Sequence, residues 1–372
     1  MNICILGGGN IGTLLMGELG RKEDISVRLL TSRPDDWSNI IEVCDNDGTF
    51  KYSGKVDVIS SNPAEVISGA DIIISTLPSY MFNRTIQKVK PFLKVGAWIG
   101  VMPGNGGSEF YCNELIESGH TLFGFQRVYG IARLKEYGKS VYDLGKKKEL
   151  FIATIPASNN VEVCKVLEDL LDLKCNPLPN YLHVALTPAN PILHTARLYE
   201  LFHNYTEGTY FDRMINFYTE WTDEASTILI DCDEEVQSLC RKLKTVDLKK
   251  VGFVRDYFGA ETPQQMTAKV SSIIALKNIQ SPMVLIEEGY IPDFKSRYFL
   301  EDFPFGLCII KGFCEIVGVE IPLIDKILMW FEKVTGVEYY VEGKFEGKDI
   351  KNLPLPQNFG LNSVEDIIAY YR

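Results

Sequence analysis

Short apolar runs and helical stretches alternate through the first half of the chain. Ile3-Cys-Ile-Leu6 is an uninterrupted apolar run of the kind that fills a buried parallel strand. It leads through a glycine cluster into a helical stretch carrying Leu14, Leu15 and Leu19. Ser26–Leu30 reads as a second strand, and the pattern continues with a strand at Val56–Ser60, a helix from Pro63, a strand at Asp71–Ser75, a helix over Met81–Leu93 and a strand at Gly96–Val101. Strands that alternate with helices predict a parallel, doubly wound sheet. Beyond residue 120 the pattern changes to closely spaced strands at Thr121–Phe125, Ser140–Leu144 and Glu149–Ile155, which predict an antiparallel extension of that sheet. A helix over Val161–Leu171 and a strand near Lys174–Leu178 follow.

Pro177, Pro179 and Asn180 then break the pattern and mark a boundary. This divides the chain into an α/β domain with a doubly wound parallel sheet over 1–180 and an all-α domain over 181–372. In the second half, helical periodicity is expected at Pro191–Phe202, Glu220–Leu243, Pro263–Lys277, Phe303–Val317, Leu323–Lys333 and Val364–Tyr371. Pro304 lies inside one of these stretches and prevents an unbroken α-helix there.

Composition narrows the classes of partner. With 372 residues, 46% of them hydrophobic and 23% charged, the chain has ample material for two cores. A net charge of −11 with no basic block disfavours nucleic acid or an anionic membrane as a partner. No apolar stretch approaches the roughly 20 residues of a membrane span, and the start of the chain lacks a signal-peptide pattern. The nine cysteines are scattered without a Cys-x-x-Cys pair, so they form neither a disulfide framework nor a metal site. A reduced, cytoplasmic protein is the expectation, and a homodimer is compatible with it.

Candidate chemistry begins at Gly7-Gly8-Gly9-Asn10-Ile11-Gly12, a G-x-G-x-x-G between a strand and a helix. In this motif Gly7 permits a tight turn, Gly9 admits a pyrophosphate close to the backbone, and Gly12 allows the helix to pack on the strand. The N–H groups of Asn10, Ile11 and Gly12 then meet the phosphates. An NAD site favours an acid at the end of the second strand, where it accepts from the ribose. Thr31-Ser32-Arg33 stands there instead, so Ser32 and Arg33 favour NADP, with Asp35 as the residue that would turn the preference to NAD. Two further loops leave the carboxyl ends of strands. One carries Leu77 and Pro78, expected against the cofactor, and the other carries Asn105 in a glycine-rich stretch, expected near substrate. Gln126, Arg127 and Arg133 fall in a short stretch that fits either a cleft or a surface.

The chain has four histidines, and His194 lies at the border of an apolar helical stripe one turn after Asn190-Pro191. Asn190 suits both an N-cap and a residue pointing with His194 at one spot. Far along the chain, Arg297 and Asp302 stand among aromatic residues. Asp302 fits two roles, an N-cap for the following helix or the orienting partner of a histidine.

Asn190-Pro191-Ile-Leu-His194 together with Arg297 and, five residues on, Asp302 resembles the paired signatures of the octopine/opine dehydrogenase family. The resemblance extends over essentially the whole chain. It implies a Rossmann domain followed by a helical catalytic domain, with His194 as general acid/base, Asp302 as its orienting partner, Arg297 on a substrate carboxylate and Asn190 positioning substrate. It implies NAD(P)H-dependent reductive condensation of a 2-oxo acid, pyruvate by resemblance, with the amino group of an amino acid. The NADP-like end of the second strand departs from well-known animal members, which use NADH. Two other functions share parts of the pattern. A ketopantoate or 2-hydroxy-acid reductase would carry a lysine on the first helix after the boundary, and Asn190–His194 has none. A non-catalytic NADP sensor would need the glycine loop but not Arg297 and Asp302.

Overall fold

In a computed structural model, residues 1–104, 106–187 and 190–372 are described, and they fall into two compact units, Met1–Ala185 with Tyr371–Arg372, and Leu186–Tyr370. The first unit is built on twelve strands: β1 (Asn2–Leu6), β2 (Ser26–Leu30), β3 (Ile40–Cys44), β4 (Phe50–Lys55), β5 (Val58–Ser60), β6 (Ile72–Ser75), β7 (Trp98–Val101), β8 (Thr121–Phe125), β9 (Gly130–Glu136), β10 (Ser140–Lys146), β11 (Glu149–Ile155) and β12 (Lys174–Pro177). Eight form the main sheet in the order β12-β11-β8-β7-β6-β1-β2-β5. From β5 to β8 every pairing is parallel, and only β11 runs antiparallel to its neighbour β8. The chain leaves β1 towards β2 on one side and returns to β6 on the other. The crevice at the carboxyl ends of β1 and β6 is therefore the switch point, where ligands bind in sheets of this kind.

The antiparallel extension expected beyond residue 120 is only partly what forms. β9 and β10 join β3 and β4 in a separate four-stranded sheet, ordered β4-β3-β10-β9. The helix Asn10–Leu19 has nearly every residue from Gly12 onward buried, because it packs on both sheets rather than on one. Its Gly17 makes the approach to β4 close enough that a Cβ on Gly54 would lie 2.2 Å from the Gly17 carbonyl oxygen. Glu18 on the same helix is buried, accepts from the Tyr52 hydroxyl at 2.6 Å and pairs with Lys146 at 2.7 Å. Through Glu18 the helix is bonded to both β4 and β10 of the second sheet.

The second unit is mainly helical. Its longest helices are Asn190–Phe202, Asp223–Lys242, Cys308–Val317 and Pro322–Thr335. A hairpin of β13 (Met283–Ile286) and β14 (Gly289–Pro292) interrupts the helical pattern. The core is strongly aromatic: Phe303 stacks on Phe331 with ring centroids 4.3 Å apart, and Phe299 stacks on Phe303 at 5.5 Å. Stacked and edge contacts of this kind add to the area they bury. Among the described residues no helix is long and apolar enough to cross a membrane, and all nine cysteines are free.

One buried carboxyl gives the first unit a pH dependence of its own. Glu109 is fully buried, accepts from the Tyr371 hydroxyl at 2.7 Å through Oε1, and has no partner for Oε2 among the described residues. Burial raises its pKa from 4.5 to about 7, with the Tyr371 hydrogen bond pulling the other way. A raised folded value means the proton is bound more tightly in the folded state. Its stabilising contribution is complete below pH 4.5 and is lost as the pH rises to about 7. Glu109→Gln, which keeps an acceptor for Tyr371 but cannot ionise, should gain melting temperature relative to the native protein as the pH rises through that window. A difference that stays constant with pH would show that Glu109 does not titrate there.

Candidate functional site

In the first unit the glycine loop has a separate reason for each glycine. Gly7 takes φ +105, which only glycine adopts without strain. A Cβ on Gly12 would stand 1.9 Å from the Gly7 carbonyl oxygen, so the helix lies against its own turn. A Cβ on Gly8 would stand 2.1 Å from the Trp37 ring, which lies against the loop. At Gly9, by contrast, a Cβ would meet nothing within 4 Å. The open side of the loop is thus at Gly9, at the start of the helix Asn10–Leu19, where Asn10, Ile11 and Gly12 present N–H groups that no helical carbonyl can reach. That combination fits a dinucleotide pyrophosphate.

The rest of the crevice is set by its neighbours. The Thr76 hydroxyl donates to the Gly7 carbonyl at 3.1 Å, and Leu77 lies against Gly7, so the β6 loop closes on the β1 loop as the switch-point geometry requires. Pro78 opens the helix Ser79–Val89. The Asn10 side chain is engaged structurally: its Oδ1 accepts from the Leu134 N–H at 2.8 Å and fixes β9 to the loop, leaving its backbone N–H for a ligand. At the end of β2, Arg33 is exposed, lies 4.5 Å over the Tyr137 ring and stands 3.6 Å from Asp36. Ser32 is exposed beside it. Tyr137 and Trp37, which meet edge to face at 5.3 Å, were not predicted as parts of this region; neither carries a motif, and only the pairing of β3 with β10 brings them together. Arg133 is half-buried and donates to the Ala132 carbonyl at 2.9 Å, and the Gln126 amide donates to the His183 carbonyl at 3.5 Å. Asn105 lies outside the described residues.

In the second unit, His194 and Asp302 meet although 108 residues separate them. Pro191 starts the His194 helix, and Gly306 lies against it so closely that a Cβ there would be 2.5 Å from the Pro191 ring. Gly306 belongs to the π-helical turn Phe303–Leu307, which follows the helix Arg297–Asp302 without a break in the chain path. Such turns are rare and frequently mark functional sites. Pro304, which cannot donate an N–H, sits in this turn. Asp302 is 6% exposed and makes no capping hydrogen bond, so the N-cap role is not the one it takes. Its Oδ2 lies 2.9 Å from His194 Nδ1. A proton on Nδ1 satisfies that contact and leaves Nε2 as the acceptor of the neutral ring.

Nε2 also has a partner, which sequence reasoning missed: the Tyr218 hydroxyl, 2.9 Å away. His194 is only 8% exposed, and its imidazole is edged by Tyr298 at 4.7 Å and Phe217 at 5.7 Å. The remaining histidines differ in kind, since His120, His183 and His203 each turn Nδ1 to a backbone carbonyl. Arg297 is exposed and has no ion-pair partner among the described residues, as an arginine kept for an external carboxylate would be. Asn190 is exposed in the first turn of the His194 helix. The described residues contain no cluster of side chains that could hold a metal ion.

Known proteins resemble this chain along nearly its whole length. Residues 177–335 match the family model described as NAD/NADP octopine/nopaline dehydrogenase, alpha-helical domain. The tauropine dehydrogenase of Arabella iricolor is 29% identical, over 98% of this chain and 99% of its own. Two solved structures of octopine dehydrogenase are 25% identical with TM-scores of 0.85, each covering 99% of this chain. One holds NADH and L-arginine and is covered over 97% of its length; the other holds NADH and pyruvate and is covered over 98%.

The glycine geometry makes one change diagnostic. Gly12→Ala sets a methyl against backbone rather than against a side chain that could turn away, so the cost should lie at the upper end of overpacking, about 3 kcal/mol. Urea unfolding followed by tryptophan fluorescence measures it. An unchanged midpoint would mean that the helix can move off its turn freely.

Proposed function

Because the chain belongs to the octopine/opine dehydrogenase family, we propose that it joins a 2-oxo acid to the amino group of an amino acid by NAD(P)H-dependent reduction. The observation that carries this reading is the buried pair of Asp302 with His194, the latter on the helix that begins Asn190-Pro191. Pyruvate is the preferred oxo acid, by analogy with the octopine dehydrogenase that holds it. The acid and the amine condense to an imine, and reduction of its carbon gives an N-(1-carboxyalkyl) amino acid. When bound, the nicotinamide supplies the hydride, and the protein supplies orientation and protons.

His194 acts as the general acid in this direction and as the general base in the reverse one, a task for which a histidine is the usual choice. Asp302 holds the ring in one tautomer and stabilises the imidazolium when it forms. Arg297 binds the oxo-acid carboxylate, to which a guanidinium can offer two parallel N–H groups. Orientation of this kind is a large share of what an enzyme contributes to a two-substrate reaction. Asn190 positions substrate beside the histidine. His194→Ala should abolish oxidation of NADPH in the presence of pyruvate and an amino acid, while NADPH binding, read by its fluorescence, is retained. Turnover in that variant would remove the assignment. In the native protein, oxidation with pyruvate alone would favour a 2-hydroxy-acid reductase instead.

The cofactor end of the site supports NADPH over NADH. No acid stands at the end of β2, and Ser32 with the exposed Arg33 can meet a 2′-phosphate. Arg33→Ala should raise the KM for NADPH by about tenfold or more, the scale of a hydrogen bond to a charged group, and leave that for NADH nearly unchanged. A native protein that uses NADH in preference to NADPH would overturn this part of the reading.

A further inference from the structure

Both nitrogens of His194 are engaged within the second unit, one by Asp302 and the other by Tyr218. A general acid/base must pass its proton to something, and the Asp302 side holds the orienting contact. The remaining route is through the Tyr218 hydroxyl, unless substrate displaces it. Displacement is opposed by how firmly the tyrosine is seated. Arg197 lies on the same helix as His194, nearly one turn on, and is 1% exposed. Its Nε donates to the Phe217 carbonyl at 3.1 Å and its Nη2 to the Glu220 carbonyl at 2.7 Å, so the guanidinium grips the backbone on both sides of Tyr218. Glu200 pairs with the same guanidinium. The Tyr218 ring is itself nearly parallel to that of Trp221, at 10° and 6.3 Å, and Trp221 is anchored by its Nε1 donating to Ser226 Oγ at 2.9 Å. With carbonyl and carboxylate partners the buried charge is compensated, and those bonds hold the loop of Tyr218 against the histidine helix.

We propose that Tyr218 is the group through which His194 exchanges its proton with the substrate nitrogen, so that Asp302, His194 and Tyr218 act as one hydrogen-bonded chain. This rests on the dehydrogenase reading given above. A phenol suits the position because its oxygen can donate to a neutral Nε2 and accept from a protonated one. In the oxidative direction the N–H bond of the secondary amine breaks, its proton goes to Tyr218 Oη, and the Oη proton goes to His194 Nε2. The electron pair left on nitrogen forms the imine bond while the carbon gives its hydride to oxidised nicotinamide. The reductive direction reverses each transfer, and Tyr218 ends every cycle as it began.

Tyr218→Phe removes the hydroxyl and keeps the ring that Trp221 and Phe217 pack on. The variant should lose about 10²-fold in kcat, the contribution typical of a positioned proton-transfer group, with the KM for pyruvate and NADPH binding unchanged. A loss of tenfold or more confined to kcat supports the relay. A smaller loss overturns it, and so does a loss that falls on KM, because Tyr218 would then bind substrate rather than move protons. His194→Ala is measured in parallel: activity there sinks the underlying reading, whereas an inactive His194→Ala beside an active Tyr218→Phe sinks the relay alone. If Tyr218→Phe does not fold, judged by NADPH fluorescence, single-turnover rates of the native enzyme in mixtures of H2O and D2O decide the matter. A curved dependence on deuterium content indicates two protons in flight, and a linear one rules the relay out.

Discussion

The close contact between Pro191 and Gly306 is the constraint on which the second unit's chemistry depends. A carboxylate can orient an imidazole only if the two elements carrying them approach within side-chain reach. Here a proline that starts one helix rests against a glycine in a π-helical turn of the other, with no space for a Cβ between them. On the short helix before that turn, five residues at about 100° each set Asp302 and Arg297 on different faces, so Asp302 turns inward while Arg297 stays exposed. The acid is buried against the histidine and the base faces outward.

The glycine loop follows the same logic in the first unit. Gly7 and Gly12 are required by the protein's own packing, because the helix start lies against the turn that precedes it. Gly9 is required by nothing the chain itself places nearby. Two glycines of the motif are thus explained by the fold itself, and the third leaves its side of the loop open.

How much of this was legible beforehand depended on whether the signal was local. The main sheet and its order of elements follow from apolar runs a few residues long, and the histidine helix announces itself through Asn190-Pro191. The second sheet was not foreseen, since β3 and β4 are short, half polar and joined only through distant pairing with β10 and β9. The Asp47-Gly48 turn between β3 and β4 was a usable hairpin signal that their weak alternation hid. Asp302 was ambiguous because a residue before a proline-containing turn serves equally well as a cap; the absence of a capping bond and the 2.9 Å contact with His194 resolve its geometry. Tyr218 carried no signal at all, lying in an irregular loop where nothing in the spacing relates it to His194.

What places Tyr218 is a cation in the core rather than a motif. Arg197 sits on the histidine's own helix and is buried, and its partner Glu200 is half-buried. A buried ion pair seldom adds net stability compared with apolar residues of the same size. The arginine's hydrogen bonds instead go to backbone carbonyls, which fixes the loop through groups that every sequence possesses. The loop's path is therefore insensitive to most side-chain changes within it, while the angle at which Tyr218 meets Nε2 stays tied to the helix that carries His194. In that arrangement the clamp ties the loop of Tyr218 to the helix of His194, and the hydroxyl lies 2.9 Å from Nε2.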